Sequence, residues 1–131
     1  MIRTEVARGA GGPIVIMDSI TQLEATDSGA IVVSGSHGGV SSAEFALAVP
    51  LRAVFFNDAG VGKEGAGVAA LAILQARRVA AGTVAQTSAR IGDARDAWQC
   101  GMISLVNAAA LGLAPGQALC EALGRLAGSE G

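Results

Sequence analysis

AIVVSGSHGG, residues 30–39, is the stretch on which the reading of this chain turns. A run of apolar, largely β-branched residues stops at a glycine-rich loop that carries the one histidine of the sequence, His37. The pattern recurs at once in RAVFFNDAGVGKEGAG, residues 52–67. A short apolar run bounded by turn residues reads as a buried strand, and each run here leads through a polar loop into a helix start. In open parallel sheets ligands bind just beyond the carboxyl ends of the strands, so these two junctions mark the expected place for chemistry.

Working outward, PIVIMD (13–18) reads as a first buried strand, with Pro13 tolerated at its first position. Residues 1–12 give either an N-terminal arm or an edge strand. SITQLEATDSG (19–29) is short for a crossover helix and suits one or two helical turns. Ser41 to Glu44 has the spacing of a capping box and predicts a helix over 42–49, ended by Pro50. LRAVFFND (51–58) is the next strand. The helix predicted over Glu64–Arg78 is apolar on nearly all sides, with Val68, Leu71, Ile73 and Leu74, and such a helix is expected to be buried in a contact between subunits.

AAGTVAQTS (80–88) reads as a further strand, with Gly82 marking close packing. Trp98, Met102, Leu105, Val106 and Ala109 recur at helical spacing and predict one long helix over 94–111, capped by Asp93 and stopped by Gly112. Pro115 opens a last helix with Leu119, Leu123 and Leu126 as its inner stripe, and the tail 128–131 is expected to fray. This alternation predicts an α/β fold: a three-layer, mainly parallel sheet of four to five strands with helices on both faces, forming one domain over residues 1–131.

Composition sets limits on function. With 51% hydrophobic but only 3% aromatic residues and no Tyr, aliphatic side chains must fill the core. A formal charge of −2 and no basic cluster longer than Arg77–Arg78 argue against a nucleic-acid partner. No uninterrupted apolar stretch approaches the roughly 20 residues of a membrane span, and Arg3, Glu5 and Arg8 stand where a signal peptide would be apolar. A cytoplasmic protein is expected. Cys100 and Cys120 have no CxxC spacing and read as small buried thiols rather than a disulfide or a metal pair.

The loops at the strand ends hold the candidate site residues. SGSHGG offers the hydroxyls of Ser34 and Ser36, the imidazole of His37, and the amides of Gly38 and Gly39 as an oxyanion or phosphate cradle. The alternative is a tight turn with His37 bonded to backbone. NDAGVGK is not an NTP-binding loop, because Asn57 stands where its first glycine would be and Glu64 where its Ser/Thr would be. Gly62 still permits an anion to approach, and Lys63 supplies a charge. Asp58 is a candidate to orient His37 or act as a base and Asn57 a candidate to bind substrate, or else the two only tie the turn together. Ser88 and Arg90 in the loop before Asp93 are candidates to hold a carboxylate or phosphate.

One histidine with scattered aspartates has no zinc-type spacing, so neither a metal nor a cofactor is expected. These residues point to a small cofactor-independent enzyme, a hydrolase or lyase, oligomeric through the 64–78 helix and acting on a small anionic metabolite by His37/Asp58 acid–base chemistry. Two alternatives come from other classes: a ligand-binding or regulatory subunit that uses the same loops without turnover, and a structural partner subunit of a larger enzyme.

Overall fold

Chain neighbours are sheet neighbours throughout this molecule. In the computed structural model, which describes residues 1–110 and 112–128, β1 (Arg3–Gly9) turns back antiparallel on β2 (Gly12–Met17), and β2 runs parallel to β3 (Ile31–His37). Two 3-10 turns, Ile20–Gln22 and Ala25–Asp27, make the β2–β3 connection. Then follow α1 (Val40–Leu47), β4 (Ala53–Asn57), α2 (Ala69–Ala76), β5 (Ala80–Val84), α3 (Ala94–Cys100), β6 (Ile103–Val106) and α4 (Leu119–Ala127). The sheet order is β1-β2-β3-β4-β5-β6, with β2 to β5 parallel and both outer strands antiparallel. The fold is α/β, and its sheet has six strands rather than four or five.

Alternate residues of a strand point to opposite faces, and the core divides accordingly. Ile14, Ile16, Ile31, Val33 and Phe55 pack with Ala97, Leu119 and Leu123 of α3 and α4. Val15, Met17, Val32, Val54 and Phe56 pack with Ala43, Ala46, Leu71 and Leu74 of α1 and α2. Burying a side chain of this size is worth about 1.5–3 kcal/mol over leaving it exposed. Gly82 admits the close packing expected of it: a Cβ there would lie 2.5 Å from the Phe55 ring and 2.7 Å from the Leu105 carbonyl oxygen.

The largest departure from expectation is the helix over 94–111, which ends at Cys100. A side chain at Gly101 would meet the Ala97 carbonyl oxygen at 2.3 Å, and the backbone there turns extended. The chain then pairs with the open edge of β5 as β6. The helical spacing of Met102, Leu105 and Val106 is thereby overridden by a sheet edge that needs a partner. Cys100 at the end of α3 is exposed, not a buried thiol, and both cysteines are free.

Three smaller boundaries also move. The capping box at Ser41 does not form; α1 begins at Val40 with Gly39 as its N-cap, and the Ser42 hydroxyl instead donates to the His37 carbonyl at 2.6 Å. The helix over 64–78 shrinks to α2, because Ala59, Gly60, Val61, Gly62, Glu64 and Gly65 all have left-handed φ between 51° and 74°. Within α2, Ala70, Leu71 and Leu74 are buried whereas Ala72, Gln75 and Ala76 are exposed, so the helix is one-faced rather than apolar all round. Pro115 lies in a turn ahead of α4, whose N-cap is Ala118. Leu111 and residues 129–131, the end of the expected tail, lie outside the described residues.

Asp93 does cap α3, its Oδ1 accepting the Asp96 amide at 2.9 Å. Replacing it with alanine is expected to cost about 1 kcal/mol, read from urea unfolding midpoints. The two rims of the sheet are finished differently. β1 carries the exposed ion pair Arg8–Glu5 (2.6 Å) and a register shift between Glu5 and Ala7. On the outer side of β6 the Ile103 amide donates to the Gln117 carbonyl, and the Gly116 amide donates to the Ile103 carbonyl. No helix among the described residues is long and apolar enough to cross a membrane.

Candidate functional site

Because β2 to β5 are parallel, Asp18, His37, Asp58 and the Ala85–Ser88 turn all leave the sheet at one edge. A crevice of about 410 Å³ opens there beyond β2 and β3. Its floor includes Asp18, Gly35 and Ser36, and its walls include His37, Ser42 and the Ser19–Thr21 turn. Phe45 of α1 and Ile91 of the loop before α3, 46% and 53% exposed, stand at its mouth.

Gly35 permits this geometry. A Cβ there would come within 2.6 Å of the Asp18 carbonyl oxygen, 2.7 Å of Gly92 C and 2.8 Å of Asp93 N. Three main-chain segments meet at that point. The Gly92 amide donates to the Gly35 carbonyl at 2.7 Å, which draws the loop holding Ile91 over the end of β3.

His37 closes β3 and is exposed. Its carbonyl accepts from the Ser42 hydroxyl and the Gly39 amide, so the backbone does the structural work here and the imidazole is not recruited for it. The ring lies against Gly39, where a Cβ would meet Nε2 at 2.6 Å. Gly38 and Gly39 do not form a cradle, since their amides donate to the carbonyls of Asn57 and His37. Ser34 is buried and its hydroxyl oxygen accepts the Ser36 amide. Ser36 Oγ accepts the Ile20 amide at 3.0 Å, which leaves its own proton as a donor.

Asn57 and Asp58 take the turn-tying role that was the alternative in the sequence. Asn57 donates to the Ala89 carbonyl and accepts the Ala59 amide. Asp58, 6% exposed, accepts the Gly60 and Gln86 amides on Oδ1 at 2.8 and 3.0 Å. No hydrogen bond joins it to His37 among the described residues. Gly62 and Lys63 lie on the left-handed loop after β4, outside the crevice lining. Ser88 donates to the Ala85 carbonyl and accepts the Met102 amide, and Arg90 is exposed; neither lines the crevice. The structure thus brings His37 and Ser36 to one crevice and places Asp58, Lys63, Ser88 and Arg90 elsewhere along the edge.

Asp18, which ends a strand at the same edge, carries no other mark of function in the sequence. Its carboxylate accepts the Ala94 amide at 2.9 Å and the Ile2 amide at 2.8 Å, and so pins the start of α3 and the entry to β1. Burial raises its pKa, but these two amides, the N-terminal ammonium and the charge of Arg95 outweigh it, and the net shift is downward. A lowered folded pKa gives stability that is complete above the ordinary carboxylate value, about 4, and is lost as pH falls through the lower folded value. The stability gap between the wild-type chain and Asp18→Asn is therefore expected to be widest at neutral pH and to narrow in acid, as read from urea midpoints across pH. A gap that stays constant with pH would contradict this.

Among the described residues no group of three or more His, Cys, Asp or Glu side chains is placed to hold a metal ion. Compared with protein-family models, with curated proteins and with solved structures, the chain matches none.

Proposed function

We propose that the crevice beyond β2 and β3 is the functional site, and that the chain is a small cofactor-independent enzyme of the hydrolase or lyase class in which His37 moves the proton. One observation carries this reading: the only histidine of the chain stands exposed at the carboxyl end of a parallel strand, lining a crevice large enough for a metabolite. Ser36, with its hydroxyl proton left over, is the donor that would orient the bound molecule, and the Ser42 oxygen is an acceptor beside it. Asp58 has no part in the proton transfer in this scheme; it holds the β4 turn.

The test is to incubate the full chain with mixtures of small metabolites and to follow their conversion together with the His37 ring signals by NMR. Conversion of a compound that also shifts those signals is expected. A compound that shifts them and is never converted would favour the second reading, a ligand-binding or regulatory subunit without turnover. That reading draws support from the absence, among the described residues, of a carboxylate hydrogen-bonded to the imidazole.

Three further parts belong to the same proposal. The two apolar clusters are read as the inner faces of a three-layer arrangement. Free Cys100 and Cys120 suit a cytoplasmic setting, where thiols stay reduced. Self-association would use the outward face of α2, where exposed Ala72 and Ala76 allow close approach, and sedimentation velocity of the wild-type chain against Ala72→Glu checks it.

A further inference from the structure

Cys100 and Cys120 stand apart along the chain, and the fold brings them to one junction. Cys100 is the last residue of α3 and Cys120 the second of α4, and the two helices share a core cluster through Ala97, Leu119, Ala122 and Leu123. Beside this cluster the chain pairs antiparallel with itself. Met102 stands opposite Ala118, and the Leu119 amide donates to the Gly101 carbonyl at 2.9 Å. In an antiparallel register each step forward on one side is matched by a step back on the other, so the positions next beyond Gly101 and Leu119 are Cys100 and Cys120. Hydrogen-bonded partners in such a pairing lie about 5.5 Å apart at Cα, which is the separation most disulfides span.

Both thiols are free, Cys100 exposed and Cys120 half-buried. We infer that they form a redox-sensitive pair, which closes reversibly into an intramolecular disulfide in the folded chain with glutathione disulfide as the oxidant. The exposed Cys100 thiolate attacks one sulfur of the oxidant, displaces one glutathione thiolate and forms a mixed disulfide; the Cys120 thiolate then attacks the Cys100 sulfur and displaces the second. The two protein thiols give up two electrons and two protons, and one glutathione disulfide becomes two glutathione thiols. Closure ties the end of α3 to the start of α4 and encloses β6 in the loop between them. Such a cross-link stabilises a fold mainly by restricting the unfolded chain. Neither cysteine lines the crevice, so the inference stands independently of the function proposed for it.

The test equilibrates the native full chain in buffers of increasing ratio of oxidised to reduced glutathione, quenches with acid, and reads intact mass together with the urea midpoint. A monomer lighter by about 2 Da is expected, restored by dithiothreitol and unfolding at higher urea than the reduced chain. Cyanogen bromide cleavage after Met102 separates the two cysteines in sequence, so the fragments of the oxidised chain should stay joined until reduced. Cys100→Ser and Cys120→Ser should each abolish the closed form, and Cys100→Ser, at an exposed position, should keep the midpoint of the reduced wild-type chain. If the oxidised wild-type chain stops at a mixed disulfide with glutathione, cross-links only to a second copy, or closes only in urea that unfolds it, the inference is overturned.

Discussion

Turnover of the compound found by the metabolite screen is expected to fall by about 10²–10⁴-fold in His37→Gln, with affinity for it changed by no more than about threefold. The separation of the two effects follows from how the residue is held. The fold uses the backbone of His37, whose carbonyl receives the Ser42 hydroxyl and the Gly39 amide, and leaves the exposed ring out of the core. Glutamine keeps a polar side chain of similar reach, yet it neither accepts nor releases a proton near neutral pH. A circular dichroism spectrum and urea midpoint matching the wild-type chain would show that the fold is intact. Undiminished turnover in that folded variant would remove His37 from the mechanism, and equal losses of turnover and affinity would make it a binding group only.

Gly35→Ala is expected to be the most damaging single-methyl addition at the site, costing about 1–3 kcal/mol or more because the added carbon overpacks a closed junction. The contacts it would make, at 2.6–2.8 Å, are all to main-chain atoms, of Asp18, Gly92 and Asp93, and none can swing aside as a flexible side chain would. Relief requires the loop before α3 to lift, which takes Ile91 away from the crevice and breaks the Gly92–Gly35 hydrogen bond. The variant should therefore lose ligand binding even at temperatures where it remains folded. Gly124→Ala is the matching control. Its position inside α4 has no neighbour within 4 Å of the added carbon, and alanine there is expected to stabilise by up to about 1 kcal/mol. A Gly35→Ala midpoint as high as that of the wild-type chain would contradict the packing argument.

What was legible in the sequence was what depends on local order along the chain. The runs at Ile31–Val33 and Ala53–Phe56 are apolar enough to specify buried strands, and Asp93 caps α3 through an amide three residues away. The elements misread were those decided by distant partners. Nothing near Met102 announces that β5 has a free edge to offer, so a helical spacing was followed where a strand forms. The site shows the same division. His37 could be placed at a strand's carboxyl end from its neighbours alone. That Asp58 would be engaged by Gln86, Asn57 by Ala89, and Asp18 by Ala94 across 76 residues follows only from the folded arrangement. The strained turn after β4 was hidden for a related reason: left-handed Ala59, Val61 and Glu64 are costly locally, at about 1–3 kcal/mol each, and hold only because the surrounding hydrogen bonds fix them.

The two outer strands have a bearing on how copies of this chain can meet. One margin carries charged side chains and a bulge, and the other is strapped by residues 116–118, and both devices discourage another molecule from lengthening the sheet. Extension of the sheet by a further copy is disfavoured by the same arrangement.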